Sequence, residues 1–249
     1  MDVLWFRSIG IGMVRSMQKI KRDSFSTGIA LLCAGLGNRI RSNEPRSLIK
    51  IGNKCLLKWQ LENLRSMFSE PNILVGVGVE SQKIMKRFSG EVSFIENQIY
   101  KETGSFETFR LLVNACTDEN MLLIHGDLYF DANILCDADF SRSFIVLDTS
   151  NSIADREVGV TAVSNKASIL SYGLPDKWAQ IAFFTGKELA ILRQLCYKSN
   201  EDSKCLLTFE IINSIINKGG SFKVHKPHKS FIVEIDCMKD IKNENFNIE

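Results

Sequence analysis

Short apolar runs alternate along the first half of the chain with segments whose apolar residues recur at helical spacing. The apolar runs predict buried strands at residues 29–32, 73–79, 92–95 and 121–124. The helical spacing predicts helices at residues 55–67, 81–88 and 105–115. Strands that alternate with helices are typical of an α/β fold, so we predict a doubly wound, mostly parallel mixed sheet with helices on both faces.

The second half of the chain is richer in strands. Its patterns predict strands at residues 144–147, 158–163, 181–184, 222–225 and 231–235, of which the last two close the sheet. Helices are predicted at residues 187–197 and 209–218, and the second ends at a Gly219-Gly220 cap. Residues 47–51 are expected to be extended. Because no linker or repeat divides the chain, residues 28–249 are interpreted as a single domain.

The N-terminal segment differs in composition from the rest, since it is first apolar and then basic. A secretory signal peptide has the opposite order, with its positive charge before its apolar region. We therefore interpret residues 1–27 as an N-terminal extension that lies outside the catalytic fold.

Composition excludes several classes of partner. The chain has 249 residues, 45% of them hydrophobic, which is enough to form a sizeable core. Its net charge of +2 and the absence of a basic stripe argue against nucleic acid. No apolar run approaches the roughly 20 residues needed to cross a bilayer, so no membrane partner is expected. Seven scattered cysteines favour reduced thiols and a cytoplasmic location, and the chain is expected to be a monomer or a homodimer.

The most informative motif is a glycine turn that follows the first predicted strand. Residues 34–39 read AGLGNR, and the basic pair Pro45-Arg46 comes shortly afterwards. Glycines allow a backbone to approach a ligand, successive N–H groups in such a turn bind phosphate, and guanidinium groups suit phosphate oxygens. Ligands bind beyond the carboxyl ends of strands in these folds. The loops at Gly35, at residues 97–104 and at Gly126-Asp127 are therefore expected to form one nucleotide triphosphate site.

Two acids follow predicted strands and are candidate metal ligands. Asp127 comes after the apolar strand at 121–124, where a carboxylate is well placed to hold Mg²⁺ against phosphates, although it could equally cap a turn. Asp236 comes after the strand at 231–235 and could instead cap a helix that follows it. The two acids could act together only if their strands lie side by side.

Other residues that could belong to a functional motif are better explained by structural roles. His125, His225 and His228 match no ligand spacing, so we interpret all three as structural or peripheral. Gly76 and Gly78 lie within a strand pattern and lack the third glycine of a dinucleotide motif. Close packing of the backbone explains this glycine pair better.

In combination these motifs resemble the nucleotidyltransferases of the GT-A-like Rossmann fold, the nucleotide-diphospho-sugar transferase-like fold. The opening signature of that family, L-x-A-G-x-G-x-R followed by P-K, is similar to residues 32–39 and Pro45-Arg46. Gly126-Asp127 looks like the family's metal-binding acid, and Glu234-Ile235-Asp236 looks like its closing motif. The resemblance extends over residues 28–245 and leans toward the phosphocholine cytidylyltransferases.

The resemblance implies a set of site residues. Arg39 and Arg46 would be catalytic, and Asp127 and Asp236 would hold Mg²⁺. The nucleotide would be bound by Leu32, Ala34, Gly35, Leu36, Gly37, Asn38, Arg39, Arg46, Thr103, Ser105 and Gly126. The acceptor would be bound by Trp178, Glu210 and Glu234, although Trp178 is also explained as a core residue. The chain departs from the family at Arg46, where a lysine is usual, and at Gly104, where the branch has asparagine.

The implied function is transfer of a nucleotidyl group, CMP from CTP, to a small phosphorylated acceptor with release of pyrophosphate. The acceptor would be a phospho-alcohol, a phospho-amine or a sugar phosphate. One alternative is a sugar-1-phosphate nucleotidyltransferase that uses another nucleoside triphosphate. A second alternative, motivated by Arg46, is a nucleotide-binding protein without activity.

Overall fold

The computed structural model describes residues 26–35, 45–149, 153–154, 156–228 and 230–235. Several predicted features lie outside these residues. They are most of the N-terminal extension, the end of the glycine turn (Leu36, Gly37, Asn38 and Arg39), and Asp236 with the helix expected after it.

Thirteen strands are described. They are β1 (Thr27–Cys33), β2 (Lys50–Ile51), β3 (Lys54–Cys55), β4 (Asn72–Val77), β5 (Ser93–Glu96), β6 (Asn120–His125), β7 (Leu128–Phe130), β8 (Phe144–Leu147), β9 (Val158–Val163), β10 (Lys166–Tyr172), β11 (Asp176–Thr185), β12 (Lys223–His225) and β13 (Ile232–Glu234). The strands β3, β7 and β10 have no counterpart in the sequence prediction, and β2 lies at the end of the segment 47–51 that was expected to be extended.

Five α-helices are described, each close to its predicted bounds. They are α1 (Leu56–Met67), α2 (Ser81–Arg87), α3 (Ser105–Ala115), α4 (Gly186–Tyr197) and α5 (Thr208–Asn217). The expected cap after α5 is confirmed, because Gly219 has a left-handed φ of 82° and the Gly220 amide donates to the Ile215 carbonyl at 2.9 Å. No helix in the described ranges is long and apolar enough to span a bilayer.

A nine-stranded sheet forms the centre of the molecule, in the order β5-β4-β1-β6-β11-β8-β12-β10-β9. The first four strands are parallel to one another, and β11 joins them antiparallel to β6. Most of the remaining ladders are antiparallel, with β8 and β12 parallel. The predicted mixed sheet of an α/β fold is therefore confirmed.

Helices pack on both faces of this sheet, as predicted. Leu57 and Leu61 of α1 and Ile84 of α2 belong to the hydrophobic core on one face. Phe109 of α3 and Ile212 of α5 belong to the core on the other face, together with residues of α4. Because side chains alternate along each strand, successive residues of β1 and β6 enter opposite cores.

Two sequence predictions need correction. Residues 47–51 are not uniformly extended, because residues Arg46–Leu48 form a 3₁₀ turn before the short strand β2. The segment at 231–235 does not close the main sheet, since β13 pairs antiparallel with β7 in a separate two-stranded sheet. Both segments contact Asp127, which follows β6: Arg46 through its side chain and Ile235 through its amide. These two irregular segments therefore form part of the cleft that is described next.

Candidate active site

The cleft lies at the carboxyl ends of the adjacent parallel strands β1 and β6. The Gly126 amide donates to the Leu32 carbonyl at 3.0 Å, which extends the contact between the two strands past the end of β6. A Cβ atom on Gly126 would lie 2.6 Å from both the Leu32 carbonyl oxygen and the Cys33 Sγ atom. Only glycine fits this approach, which brings Asp127 next to the beginning of the glycine turn.

An ion pair between Arg46 and Asp127 occupies the centre of the cleft. The Arg46 Nη1 atom donates to the Asp127 Oδ2 atom at 2.6 Å, and the side chains are 21% and 16% exposed. Arg46 begins the 3₁₀ turn directly after Pro45, whose φ is −57°. The proline restricts the backbone before Arg46, which helps to direct the guanidinium toward Asp127.

The segment around Asp127 is held from the side of α1. The buried Gln60 side chain donates from its Nε2 atom to the His125 carbonyl at 3.0 Å and to the Leu128 carbonyl at 2.8 Å. These bonds lie on either side of Asp127, because the His125 carbonyl is at the end of β6 and the Leu128 carbonyl is at the start of β7. A buried amide that bridges both flanks fixes the course of the chain through the site.

The surroundings of Asp127 fit a divalent cation. Its Oδ1 atom is buried and accepts no hydrogen bond from the described residues, so this oxygen is available as a metal ligand. The Ile235 amide donates to the Asp127 carbonyl at 2.7 Å, and β13 pairs with the strand that starts beside Asp127. The strands β6 and β13 are not paired with each other, because β13 pairs with β7, but the Ile235–Asp127 hydrogen bond brings the end of β13 beside Asp127. Joint action of Asp127 and Asp236 stays a prediction. Among the described residues there is no group of three or more potential metal ligands.

A cavity of about 190 Å³ opens on one side of Asp127. The loops predicted to converge do so here. Its lining residues are Leu32, Ala34, Gly35, Tyr100, Thr103, Gly104, Ser105, Thr108, His125 and Asp127. We call it the nucleotide-side cavity, because it contains every described residue that was predicted to bind nucleotide apart from Arg46 and Gly126. Those two residues line a smaller cavity of about 80 Å³ next to it.

The wall that carries Thr103 and Ser105 is fixed by buried polar contacts. The buried Asn97 side chain donates to the Thr103 and Thr108 hydroxyl oxygens, each at 3.1 Å. The Ser105 hydroxyl accepts a hydrogen bond from the Thr208 amide at 3.0 Å, which joins α3 to α5. Asn97 follows β5 and begins the loop at 97–104 that was expected at the site, although its own side chain was not among the predicted site residues.

Packing explains the glycine at position 104. A Cβ atom there would lie 2.2 Å from the Leu206 carbonyl oxygen and 2.5 Å from the Cys205 carbonyl oxygen. The Gly104 amide also donates to the Lys204 carbonyl at 2.8 Å. The departure from the family's asparagine is therefore required by the 3₁₀ segment Asp202–Cys205, which packs directly on the start of α3.

A larger cavity, of about 480 Å³, opens on the other side of the ion pair. We call it the acceptor-side cavity, because two of the three predicted acceptor residues, Trp178 and Glu234, line it. Its lining residues are Arg46, Ser105, His125, Arg156, Glu157, Val158, Tyr172, Lys177, Trp178, Gln180, Leu207, Thr208, Phe209 and Glu234. Arg46 borders this cavity and Asp127 borders the other, so their ion pair stands between the two spaces.

The charges of the acceptor-side cavity are of both signs. The Lys177 Nζ atom lies 2.6 Å from Glu157 Oε1 and 3.5 Å from Asp148 Oδ2. Burial opposes the charge of this ammonium, but the hydrogen bond to Glu157 and the charges of Glu157, Asp148 and Glu234 outweigh it and raise the pKa of Lys177. The Lys177 side chain therefore remains a cation in the wall of the cavity.

His125 lines both large cavities. Its Nε2 atom lies 2.9 Å from the Thr208 hydroxyl, and its ring packs edge-on against Trp178 with centroids 5.8 Å apart. Burial lowers the pKa of His125, and the charge of Asp127 offsets this only in part. A neutral imidazole at the junction is consistent with a structural role, but the position is more central than the sequence indicated.

Of the three predicted acceptor residues, Trp178 and Glu234 line the acceptor-side cavity, whereas Glu210 is not among its lining residues. Trp178 is 2% exposed and donates from its Nε1 atom to the Ile181 carbonyl at 3.1 Å, so it is a core residue that also lines the cavity. Glu234 lines the cavity and accepts a hydrogen bond from Gln180 at 2.8 Å. Glu210 instead accepts a hydrogen bond from the Leu207 amide at 2.7 Å and caps α5. A role for Glu210 at the acceptor stays a prediction.

Sequence reasoning did not find most of the acceptor-side residues. The residues in question are Arg156, Lys177, Gln180 and Thr208, which belong to no motif. They come from the segment just before β9, from β11 and from the start of α5, which the tertiary fold brings to one cavity. The only signal available for Thr208 was its position before the amphipathic pattern of α5.

Comparison with known proteins identifies the family. The model of the MobA-like NTP transferase domain matches residues 29–165, which is more than half of the chain. The chain therefore belongs to the MobA-like NTP transferase domain family. The matched region contains both strands of the cleft, Arg46 and Asp127.

Individual relatives are more distant. The bifunctional enzyme IspD/IspF of Tropheryma whipplei is 23% identical over 163 residues, which cover 63% of this chain and 36% of that enzyme. The chain thus spans little more than a third of the length of this relative.

Solved structures show the same fold at low identity. The CTP:phosphocholine cytidylyltransferase of Streptococcus pneumoniae matches with a TM-score of 0.69 at 20% identity, over 88% of this chain and 97% of that one. The inositol-1-phosphate CTP transferase of T. maritima matches with a TM-score of 0.68 at 18% identity, over 86% and 91% of the two chains.

Proposed function

We propose that this protein transfers CMP from CTP to a small phosphorylated acceptor and releases pyrophosphate. The family supports the general reaction, a nucleotidyl transfer. The choice of CTP is supported by the closing Glu234-Ile235-Asp236 motif and by two structural neighbours whose names include CTP. The proposed reaction needs Mg²⁺, a nucleoside triphosphate and a phosphomonoester.

The observation that carries this proposal is the position of the Arg46–Asp127 ion pair between two cavities. The nucleotide-side cavity is lined by the start of the glycine turn and by Thr103 and Ser105. The acceptor-side cavity is large enough for a small molecule and carries charges of both signs. This arrangement suits a reaction that joins two phosphates, because positive charge and a predicted metal ligand lie where the substrates would meet.

The proposed chemistry is a direct displacement at the α-phosphorus of CTP. An oxygen of the acceptor phosphate attacks, a new P–O bond forms, and the bond to the β-phosphate breaks so that pyrophosphate leaves. Arg46, and Arg39 by its place in the motif, would neutralise the charge that develops on these phosphates. Mg²⁺, held by Asp127 and by Asp236, would polarise the α-phosphate and orient the triphosphate.

The walls of the acceptor-side cavity suit a phosphorylated molecule with a cationic or hydroxyl group. Arg156 and Lys177 supply positive charge, whereas Glu157 and Glu234 supply carboxylates. The rings of Tyr172 and Phe209, which are 5.5 Å apart, add an aromatic surface. A phospho-amine or phospho-alcohol would satisfy these groups better than an acceptor with a second acid.

The test is a two-dimensional substrate screen of the full chain. Each of the four ribonucleoside triphosphates, with Mg²⁺, is combined with phosphocholine, phosphoethanolamine, glycerol 3-phosphate, inositol 1-phosphate and glucose 1-phosphate. Pyrophosphate release is measured with and without acceptor. We expect acceptor-dependent release with CTP, at least tenfold above the other nucleotides.

Two results would replace this proposal. Release with glucose 1-phosphate and a nucleotide other than CTP would identify a sugar-1-phosphate nucleotidyltransferase. Calorimetric binding of nucleotide without release from any combination would identify an inactive nucleotide-binding protein, the alternative raised by Arg46.

A further inference from the structure

The strand β11 is interrupted where it passes the cleft. Its pairing with β8 runs from Trp178 opposite Leu147 to Ala182 opposite Ile145. Three residues of β11 therefore stand where β8 has one, so β11 carries a bulge with two extra residues. Bulges of this kind redirect side chains and are often found next to active sites.

Gln180 lies within this bulge and has an unusual backbone conformation. Its φ is 56°, in the left-handed region that residues other than glycine and asparagine rarely adopt. The conformation marks the point where β11 changes partner, from β6 at Ile181 to β9 at Lys177. A strained residue of this kind, when it lines a cavity, indicates a functional constraint.

The side chain of Gln180 connects β11 to the short strand β13. Its Nε2 atom donates to Glu234 Oε2 at 2.8 Å, inside the acceptor-side cavity. The next amide along the chain, that of Ile235, donates to the Asp127 carbonyl at 2.7 Å. A continuous series of contacts thus leads from the bulge through Glu234 to the backbone of the predicted metal ligand.

We propose that Gln180 is a positioning residue for the acceptor, which holds the Glu234 carboxylate in the acceptor-side wall and the end of β13 beside Asp127. The role toward the acceptor rests on the proposed function, whereas the role in holding Glu234 and β13 does not. An amide donor is suited to the task because it complements a carboxylate without neutralising its charge. The carboxylate then faces a cationic or hydroxyl group of the acceptor.

The experiment uses two replacements that relieve the backbone strain and remove the contact. Gln180→Gly and Gln180→Asn both tolerate a left-handed φ, but neither reaches Glu234. Ser164→Gly is the matched control, because Ser164 has a φ of 50° in an exposed turn away from the cleft. All three proteins are compared with the parent by melting temperature, by hydrogen exchange at the Ile235 amide, and by the KM of each substrate.

Both Gln180 variants should keep the parent's melting temperature within a few degrees, because relief of strain offsets the lost hydrogen bond. Exchange at the Ile235 amide should become about tenfold faster, since one hydrogen bond to a charged group no longer holds β13. The acceptor KM should rise about tenfold, while the KM of CTP stays within twofold. Ser164→Gly should change neither exchange nor KM.

Unchanged Ile235 exchange in both Gln180 variants would overturn the inference, whatever the activity. A large fall in melting temperature with equal increases in both KM values would also overturn it, because Gln180 would then serve only the fold. If the parent turns over no acceptor and exchange is still accelerated, the proposed function and the role toward the acceptor are wrong, and only the structural part stands, in which Gln180 holds the end of β13 beside Asp127.

Discussion

At the scale of single residues, the Arg46–Asp127 ion pair is the centre of the site. Both residues were predicted from sequence as site residues, because each stands in a short motif, Pro45-Arg46 and Gly126-Asp127. Their direct contact at 2.6 Å was not predictable, since it depends on how the 3₁₀ turn meets the end of β6. The pair is largely buried, so the cost of removing both charges from water offsets much of their attraction. Under the proposed function, it places opposite charges where the phosphates would bind.

We predict that Arg46 acts as a phosphate clamp although the family has a lysine here. Arg46→Ala should cost roughly 2–4 kcal/mol in kcat/KM for the nucleotide, because a charge-assisted donor is lost in a closed site. Arg46→Lys should recover part of the loss, since charge returns without the planar fork. Parent-like kinetics of Arg46→Ala would show that the guanidinium does not reach the phosphates in the working complex.

The carboxylates should be tested by removing charge without changing shape. Asp127→Asn and Asp236→Asn should each lower turnover about a hundredfold or more, equivalent to roughly 3–4 kcal/mol of transition-state stabilisation. Circular dichroism and melting temperature should stay close to those of the parent. Near-normal turnover in Asp236→Asn would assign that residue to helix capping instead.

His125 should make the protein less stable in mild acid. Burial lowers its pKa below the usual value of 6.5, so the unfolded chain takes up a proton before the folded chain does. Its contribution to stability is therefore complete above about pH 6.5 and is lost as the pH falls toward the lowered pKa. The slope should be at most about 1.4 kcal/mol per pH unit.

The measurement is urea unfolding at several pH values between 5 and 8, in the parent and in His125→Gln. The variant should have the flatter dependence. His228→Gln is the control, because that histidine is exposed. An equal slope in parent and His125→Gln would show that the imidazole does not remain neutral on folding.

At the scale of elements, sequence patterns identified regular structure better than irregular structure. The strands β1, β4 and β6 and all five helices have strong periodicity and were predicted close to their bounds. The 3₁₀ turn at Arg46–Leu48 and the bulge in β11 were not, because tertiary contacts impose them against local pattern. The short strand β7 has no period of its own and exists because β13 pairs with it. The cleft is built mostly from such segments.

Gly104 lies where the start of α3 packs on the 3₁₀ segment Asp202–Cys205, so a substitution there tests the contact between these two elements. Gly104→Ala should lower the free energy of unfolding by about 1–3 kcal/mol, because the methyl group would press on the carbonyls of Cys205 and Leu206. Gly35→Ala is the control for stability, since a Cβ atom there meets nothing within 4 Å. Equal stability of both variants would mean that the 3₁₀ segment moves away at little cost.

At the scale of the whole molecule, one sheet carries both halves of the cleft. The parallel strands β1 and β6 supply the nucleotide side, and β11 crosses from β6 to β9 and supplies the acceptor side. The strand β11 pairs with β6 of the first half of the chain and with β9 of the second half, while the single domain at 28–249 stays a prediction.

The boundary of the predicted N-terminal extension can be tested by two deletions that differ by three residues. The Ser26 carbonyl accepts a hydrogen bond from the Asn120 amide at 3.1 Å, and the Ser26 hydroxyl accepts one from the Glu119 amide at 3.2 Å. Thr27 then pairs with Asn120 at the start of β1. Removal of residues 1–24 leaves all these contacts, so melting temperature and activity should be unchanged.

Removal of residues 1–27 should instead lower the melting temperature by several degrees. Loss of these hydrogen bonds costs about 1–3 kcal/mol, and each kcal/mol corresponds to about 2–4 °C in a chain of this size. Because Leu32 of β1 lines the nucleotide-side cavity, the KM of the nucleotide should rise with the loss of stability. Insoluble or strongly destabilised protein after the shorter deletion would contradict the predicted extension, and would show that apolar residues such as Trp5 or Phe6 belong to the folded domain.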